Sequence, residues 1–257
     1  MTSFNAKQAK NDVVQWIRDW FAENGPNCNA VIGISGGKDS SIVAALCVEA
    51  LGKDRVIGVT MPNVIQVTKD AYCETQTAVR EVVESLDILC FTVPIHSPYC
   101  AIRDDISNVL DGNVTEQTLI NLAPRLRMAT LYAVSQSCNG RVANTCNLSE
   151  DWVGYSTRWG DSVGDFAPLQ DFTVTELKAI GYELAHLLPK HLVDRIPTDD
   201  LCGKTDEDNL GFTYAVLDKY IRTGVCEDEN VKNLIDKKHE KNLFKMKPIP
   251  KFNYQGE

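Results

Sequence analysis

The chain is 257 residues long, enough for one large domain or two small ones with a sizeable buried core. Its 44% hydrophobic and 24% charged residues exclude collagen-like, low-complexity and disordered classes. Lys+Arg 26 against Asp+Glu 35 gives a net charge of -9, which argues against a nucleic-acid partner and requires any anionic ligand to be bound by local design.

The nine cysteines, at 28, 47, 73, 90, 100, 138, 146, 202 and 226, include no pair three apart, so no CxxC metal or redox clip is present and reduced thiols are expected. The N-terminal MTSFNAKQAK lacks the apolar region of a secretory signal, and no stretch nears the roughly 20 apolar residues that span a membrane. A cytoplasmic protein without a membrane partner is the expectation.

Val13, Trp16, Ile17, Trp20 and Phe21 recur at helical spacing until Gly25-Pro26, which predicts an N-terminal amphipathic helix. The apolar run Ala30–Ile34 predicts a strand, Ser35-Gly36-Gly37 a turn, and Asp39-Ser40-Ser41 the opening of a helix reaching Leu51. Arg55–Met61 and Ile88–Ile95 predict two more strands around a helix Thr68–Leu86, and Arg141–Cys146 another strand after a helix ending near Ser137. This alternation predicts an α/β fold, a doubly wound parallel sheet with helices on both faces.

The texture then changes, because 151–171 holds four Asp, three Gly and two Trp with little periodicity, the composition of an ordered functional loop. Thr173-Val174-Thr175-Glu176 has the form of a capping box. Helices are predicted from Asp206 to about Thr223 and from about Glu229 to Leu243, with a mobile segment Thr198–Thr205 before the first. One domain over 1–257 is expected, its C-terminal helices and tail starting near 206.

The sharpest motif is Gly33-Ile34-Ser35-Gly36-Gly37-Lys38-Asp39-Ser40-Ser41 between strand and helix. Backbone N–H groups at the positive end of a helix dipole suit a phosphate or pyrophosphate. It is not a Walker A loop, since Ile32 replaces the required leading glycine and Asp39 the hydroxyl residue after Lys38. Ser35 also breaks the dinucleotide GxGxxG pattern.

The Ser-Gly-Gly-Lys-Asp-Ser string resembles the loop of the ATP-pyrophosphatase superfamily, which grips the pyrophosphate that ATP loses when a substrate is adenylated. GMP synthesis, tRNA thiolation, sulfonucleotide reduction and NAD synthesis share that loop. Asn121-Leu122-Ala123-Pro124-Arg125-Leu126-Arg127-Met128, the run from Thr145 to Asp161, and Pro197-Thr198-Asp199-Asp200-Leu201 with Asp206-Glu207 and Leu210-Gly211 resemble the ammonia-dependent NAD synthetases, over nearly the whole chain.

The resemblance implies a fold of the adenine nucleotide alpha-hydrolase type and a ligase that amidates deamido-NAD with ammonia and ATP. It places Gly33, Ile34, Ser35, Gly36, Gly37, Lys38, Asp39, Ser40, Thr145 and Thr198 against ATP, and Arg125, Arg158, Asp165 and Lys245 against the dinucleotide. Asp39 and Glu150 are expected to share Mg2+, and Asp161, with Lys38, to serve the chemistry. A homodimer with the dinucleotide pocket at its interface is implied, as is free ammonia as nitrogen donor, because glutamine-using relatives carry an amidase domain.

The residues support these positions in their own right. Asn121 can cap a helix whose first turn tolerates Pro124, leaving the Arg125 guanidinium free for an anion, whereas Arg127 lies about 200° around the helix and suits a surface salt bridge. Glu150 follows a strand end, where parallel sheets place ligands. Trp152, Tyr155 and Trp159 are expected to pack the loop. Two departures stand out: Val174 where many relatives have a phosphate-contacting lysine, which Lys204 or Lys178 would replace, and Asn144 where they have a glycine. A tRNA-thiolating enzyme is disfavoured by the missing CxxC and basic surface, and a passive AMP-binding module by the Asp39 and Glu150 pair.

Overall fold

The computed structural model describes residues 4–64, 69–195 and 205–254. Helix α1 (Ala6–Asn24) begins at Asn5, whose side chain accepts from the Gln8 amide at 3.0 Å, and it buries Val13, Val14, Ile17 and Phe21 along one stripe. Then come β1 (Asn29–Gly33), α2 (Lys38–Leu51), β2 (Val56–Thr60), α3 (Lys69–Leu86) and β3 (Leu89–Thr92), in the expected order. Residues Ile42 to Cys47 of α2 are completely buried, because α2 lies against the sheet on one side and, on the other, α1 and the later helices α7 (Val174–Tyr182) and α8 (Lys190–Val193).

Helices α4 (His96–Val109) and α5 (Glu116–Ser137) precede β4 (Gly140–Val142). Thr115, not Asn121, caps α5, accepting from the Thr118 amide at 3.2 Å, and Pro124 lies inside the helix. A proline forfeits one helical bond, and flanking turns held by burial of Ala123 and Leu131 carry the helix through it. Asn121 Oδ1 instead accepts from Thr157 Oγ1 at 2.9 Å, and Arg125 is exposed in mid-helix. Strand β4 is shorter than expected because Asp165 takes the Val142 amide at 2.7 Å, leaving a single bridge between Ala143 and Phe166.

The four strands are parallel in the order β3-β2-β1-β4, with Val31 opposite Ile57 and Val142. Side chains alternate along β1. Ala30, Ile32 and the following Ile34 enter a core with α1, α2 and α7, while Val31 joins Ile57, Val59 and Val142 beneath Tyr99, Ala123 and Leu131 of α4 and α5. Both faces are therefore covered, the doubly wound arrangement expected from the alternating elements.

Beyond the sheet lie α6 (Leu148–Val153), α7 (Val174–Tyr182), α8 (Lys190–Val193), α9 (Asp206–Leu210), α10 (Tyr214–Thr223) and α11 (Glu229–Met246). The single helix expected over 206–223 is thus two. Thr205 caps α9 and Thr213 caps α10, each accepting from an amide three residues on. The restart brings Tyr214 and Leu217 into a third cluster with Val153, Val174, Leu210, Phe212 and Ile235. Most of the segment expected to be mobile, including Thr198 and Lys204, lies outside the described residues.

Candidate active site

Strand order reverses between β1 and β4, the place where open parallel sheets bind ligands beyond their carboxyl ends. The loop after β1 and the turn into α6 after β4 meet there. Ile34 is buried, and its amide donates to Val59 O at 2.9 Å, so the chain leaves the sheet only at Ser35. Gly36 has φ +77, and a side-chain carbon at this position would meet Thr75 O at 3.0 Å, so both conformation and space require glycine. Ser35 Oγ lies 3.0 Å from Ser40 Oγ and accepts from the Gly37 amide at 3.2 Å. Gly37 caps α2 without a side chain, so among the described residues no side-chain cap takes the helix's first amides, the arrangement that receives an anion.

The two carboxylates expected to share a metal are brought together by a residue not assigned from sequence. Asn147, completely buried, is the N-cap of α6: its Oδ1 accepts from the Glu150 amide at 3.1 Å, and Glu150 Oε2 accepts from the Asn147 amide at 3.3 Å. Asn147 Nδ2 then donates to Asp39 Oδ1 at 3.3 Å. Burial and, next, the Asp39 charge push the Glu150 carboxyl well above the usual range, against the opposing pull of Lys38. Lys38 is 2% exposed, its Nζ 2.9 Å from Asp39 Oδ2. Burial works against its ammonium, but the charges of Asp39 and Glu150 prevail and its pKa is raised. Asp206 belongs to the same electrostatic group and accepts from Tyr214 OH at 3.1 Å.

The loop after α6 carries the remaining candidates. Asp161 Oδ1 accepts from the Thr157 amide at 2.8 Å, a turn-closing bond. The residue keeps an exposed edge, yet burial of its carboxyl raises the pKa, with the Thr157 hydrogen bond and the Arg127 charge opposing. Arg127 is half-buried, and its Nε donates to Met61 O at 3.4 Å. Asn144 Nδ2 and Cys146 Sγ both donate to Asp161 O, at 3.1 and 3.3 Å. The Arg158 guanidinium lies 5.0 Å from the Trp159 ring and 5.2 Å from that of Phe244 on α11, with its buried Nε unpartnered.

Some implied ligands are engaged within the chain. Asp165 accepts from Tyr132 OH at 3.3 Å as well as from the Val142 amide, and Lys245 Nζ donates to Gly154 O at 2.7 Å and Ser156 O at 3.2 Å. Thr145 is half-buried beyond β4. Val174 is buried in the third cluster, so its side chain brings no charge to the site. Trp152 stacks on His239 at 4.3 Å and Tyr155 packs against the same cluster as expected, whereas Trp159 is exposed. Asn147 is visible in the sequence as the first residue of an N-x-x-E box, and Asp206 as the start of a predicted helix, but neither position signals by itself that it joins the Asp39 loop.

The NAD synthase family model matches residues 9–253. The NH(3)-dependent NAD(+) synthetase of Finegoldia magna is 33% identical over 246 residues, 95% of each chain. Among solved structures, the NMN synthetase of Francisella tularensis superposes with a TM-score of 0.86 at 29% identity, covering 98% of this chain and 100% of that one. The NH3-dependent NAD synthetase of Campylobacter jejuni, in complex with the nitrate ion, gives 0.75 at 26% identity with the same coverage. With a phosphate-type loop and a joined carboxylate pair at the switch point of its sheet, the chain belongs to the NAD synthase family.

Proposed function

We propose that this chain amidates deamido-NAD with ammonia and ATP, yielding NAD, AMP and pyrophosphate through an acyl-adenylate. The observation that carries this is the amide-lined start of α2 beside the Asp39 and Glu150 carboxylates that Asn147 joins. A carboxylate is a poor electrophile, so its oxygen first attacks the α-phosphorus of ATP and displaces pyrophosphate. The α2 amides and Lys38 stabilise the charge on that leaving group. Ammonia then adds to the acyl carbon, Asp161 takes a proton from the new ammonium nitrogen, and collapse expels AMP.

Asp39 and Glu150 suit magnesium: hard oxygen donors, one or two carboxylates completed by substrate phosphates, and a mutual repulsion expressed in the raised Glu150. When bound, the ion supplies positive charge against the phosphates. Ser35, Ser40 and Thr145 are assigned to ATP, with Thr198 by resemblance alone. Arg158, with its buried unpartnered Nε, and the exposed Arg125 are assigned to anionic groups of the dinucleotide. Asp165 and Lys245 serve it through the loop they brace. A cytoplasmic homodimer completes this reading.

The test is to incubate the purified protein with ATP, magnesium, ammonium and deamido-NAD. Equimolar NAD, AMP and pyrophosphate are expected, and ADP with phosphate would contradict the reading. A second reading, that the carboxylate belongs to nicotinate mononucleotide, is favoured by the likeness to the Francisella tularensis NMN synthetase. The two acceptors share the nicotinate carboxylate, so the ratio of their kcat/KM values decides between them.

A further inference from the structure

The lysine of the phosphate loop raises a question that an anion-binding role alone does not answer. Lysine's long stem normally carries its ammonium to water. Lys38, the first residue of α2, is instead 2% exposed and folds its ammonium back onto Asp39 at 2.9 Å. The charged groups acting on it are Asp39, Glu150 and Asp206. Asp206 is itself buried and held by the Tyr214 hydroxyl at 3.1 Å. Among the described residues no other ion pair reaches Asp39 or Glu150.

A buried ammonium is tolerated only where carboxylates balance it, and the partly buried Asp39 and Glu150 carboxylates gain from a cation beside them. Each side therefore supplies what the other needs while nucleotide is absent. We propose that Lys38 is a built-in cation of the Asp39 and Glu150 pair, so that these carboxylates accept a divalent ion only together with nucleotide. A divalent ion arriving alone meets an ammonium already seated on Asp39. A polyphosphate on the α2 amides offers that ammonium a second set of anionic partners, and Lys38 can then leave Asp39 without becoming a buried unpaired charge. The inference rests on the reading of Asp39 and Glu150 as metal ligands.

The experiment measures Mn2+ binding by electron paramagnetic resonance on wild type, Lys38→Met, Lys38→Gln and Glu150→Gln. It is run with and without an ATP analogue methylene-bridged between its α- and β-phosphates, against analogue-only controls. Without nucleotide, the two Lys38 variants are expected to bind Mn2+ at least about tenfold more tightly than wild type, as removal of one close like charge implies. Adding Glu150→Gln to Lys38→Met should abolish that gain. Equal nucleotide-free affinity in wild type and both variants would overturn the role of Lys38. The metal reading would survive that result if wild type binds Mn2+ with the analogue and Glu150→Gln does not; absence of analogue-dependent binding in wild type would overturn both. Thermal melts cover the case in which the variants fold poorly. Magnesium alone should leave the wild-type Tm unmoved, and a rise that Glu150→Gln removes would contradict the proposal.

Discussion

Asn147 is the residue through which two distant stretches of chain become one site. Its side-chain oxygen caps α6 while its amide nitrogen reaches Asp39, 108 residues away. Glu150→Gln and Asp39→Asn are expected to lower magnesium-dependent pyrophosphate release by about a hundredfold or more, the scale of losing a key electrostatic stabiliser, without lowering Tm comparably. Wild-type release in both variants would remove the shared-metal assignment. Asn147→Ala should reduce the same step and also destabilise the fold by about 1 kcal/mol through the lost cap, read by calorimetry. Asp161 has one oxygen committed to the Thr157 amide, a turn-closing bond that is compatible with the proposed ammonia role. Asp161→Asn should retain exchange of labelled pyrophosphate into ATP yet form NAD slowly at any ammonium concentration. Equal loss of exchange and amidation would show that the residue only holds the loop.

At this scale the sequence disclosed those residues whose signal is local. Asp39 sits in a six-residue motif, and Glu150 stands at the third position of a cap. The joining of the two by Asn147 and the hydrogen bond of Arg127 to Met61 O are tertiary events with no local spacing to betray them. Val174, noted in the sequence as a departure from the family pattern, packs with Leu210, Phe212 and Ile235, an apolar setting that suits valine.

Two elements fix the geometry around these residues. The capping box at the start of α7 was legible in Thr173 and Glu176, and the structure adds Arg222 of α10, whose Nε and Nη2 donate to the Glu176 carboxylate at 2.8 and 2.6 Å. Partial burial acts to raise the Glu176 pKa, but these bonds outweigh it and the net shift is downward. A depressed carboxylate stabilises the fold above its unfolded value, near 4.5, and loses that contribution as pH falls through the folded value. Glu176→Gln should therefore cost about 1 kcal/mol at neutral pH, measured by denaturant titration, with the difference from wild type closing at acid pH. A gap that stays constant to strongly acid pH would contradict the pairing.

The second element is α11, which closes the end of α6. His239, Asn242 and Lys245 contact the carbonyls of Trp152, Val153, Gly154 and Ser156, the groups a helix end leaves unpaired. Gly154 has φ +66, and a side-chain carbon there would lie 2.0 Å from Asn242 Cβ. Gly154→Ala is expected to destabilise by about 2 kcal/mol or more, through strain and displacement of α11, and to raise the KM for the dinucleotide because Phe244 would leave Arg158. A neutral effect on both would show that α11 does not position the loop. The α11 helix was legible in the sequence but its contact with α6 was not. Similarly, α5 begins before Asn121 because burial on both sides of Pro124 outweighs the proline's local signal.

Across the whole molecule, the alternation of apolar runs and helices was enough to imply a parallel sheet covered on both faces. The order β3-β2-β1-β4 was not readable, since nothing in β4 alone says that it pairs with β1 rather than β3. That order puts the Ser35–Ser41 loop and the Asn147–Glu150 turn side by side, making one site of motifs that are far apart in the chain. On the proposed reading, this site adenylates a nicotinate carboxylate before any nitrogen arrives. Exchange of labelled pyrophosphate into ATP in the absence of ammonium tests that order of events most directly. Exchange is expected only when deamido-NAD, or nicotinate mononucleotide under the second reading, is present with magnesium, and it should vanish in Glu150→Gln. Exchange without a carboxylate substrate, or NAD formation in a protein that never supports exchange, would contradict it.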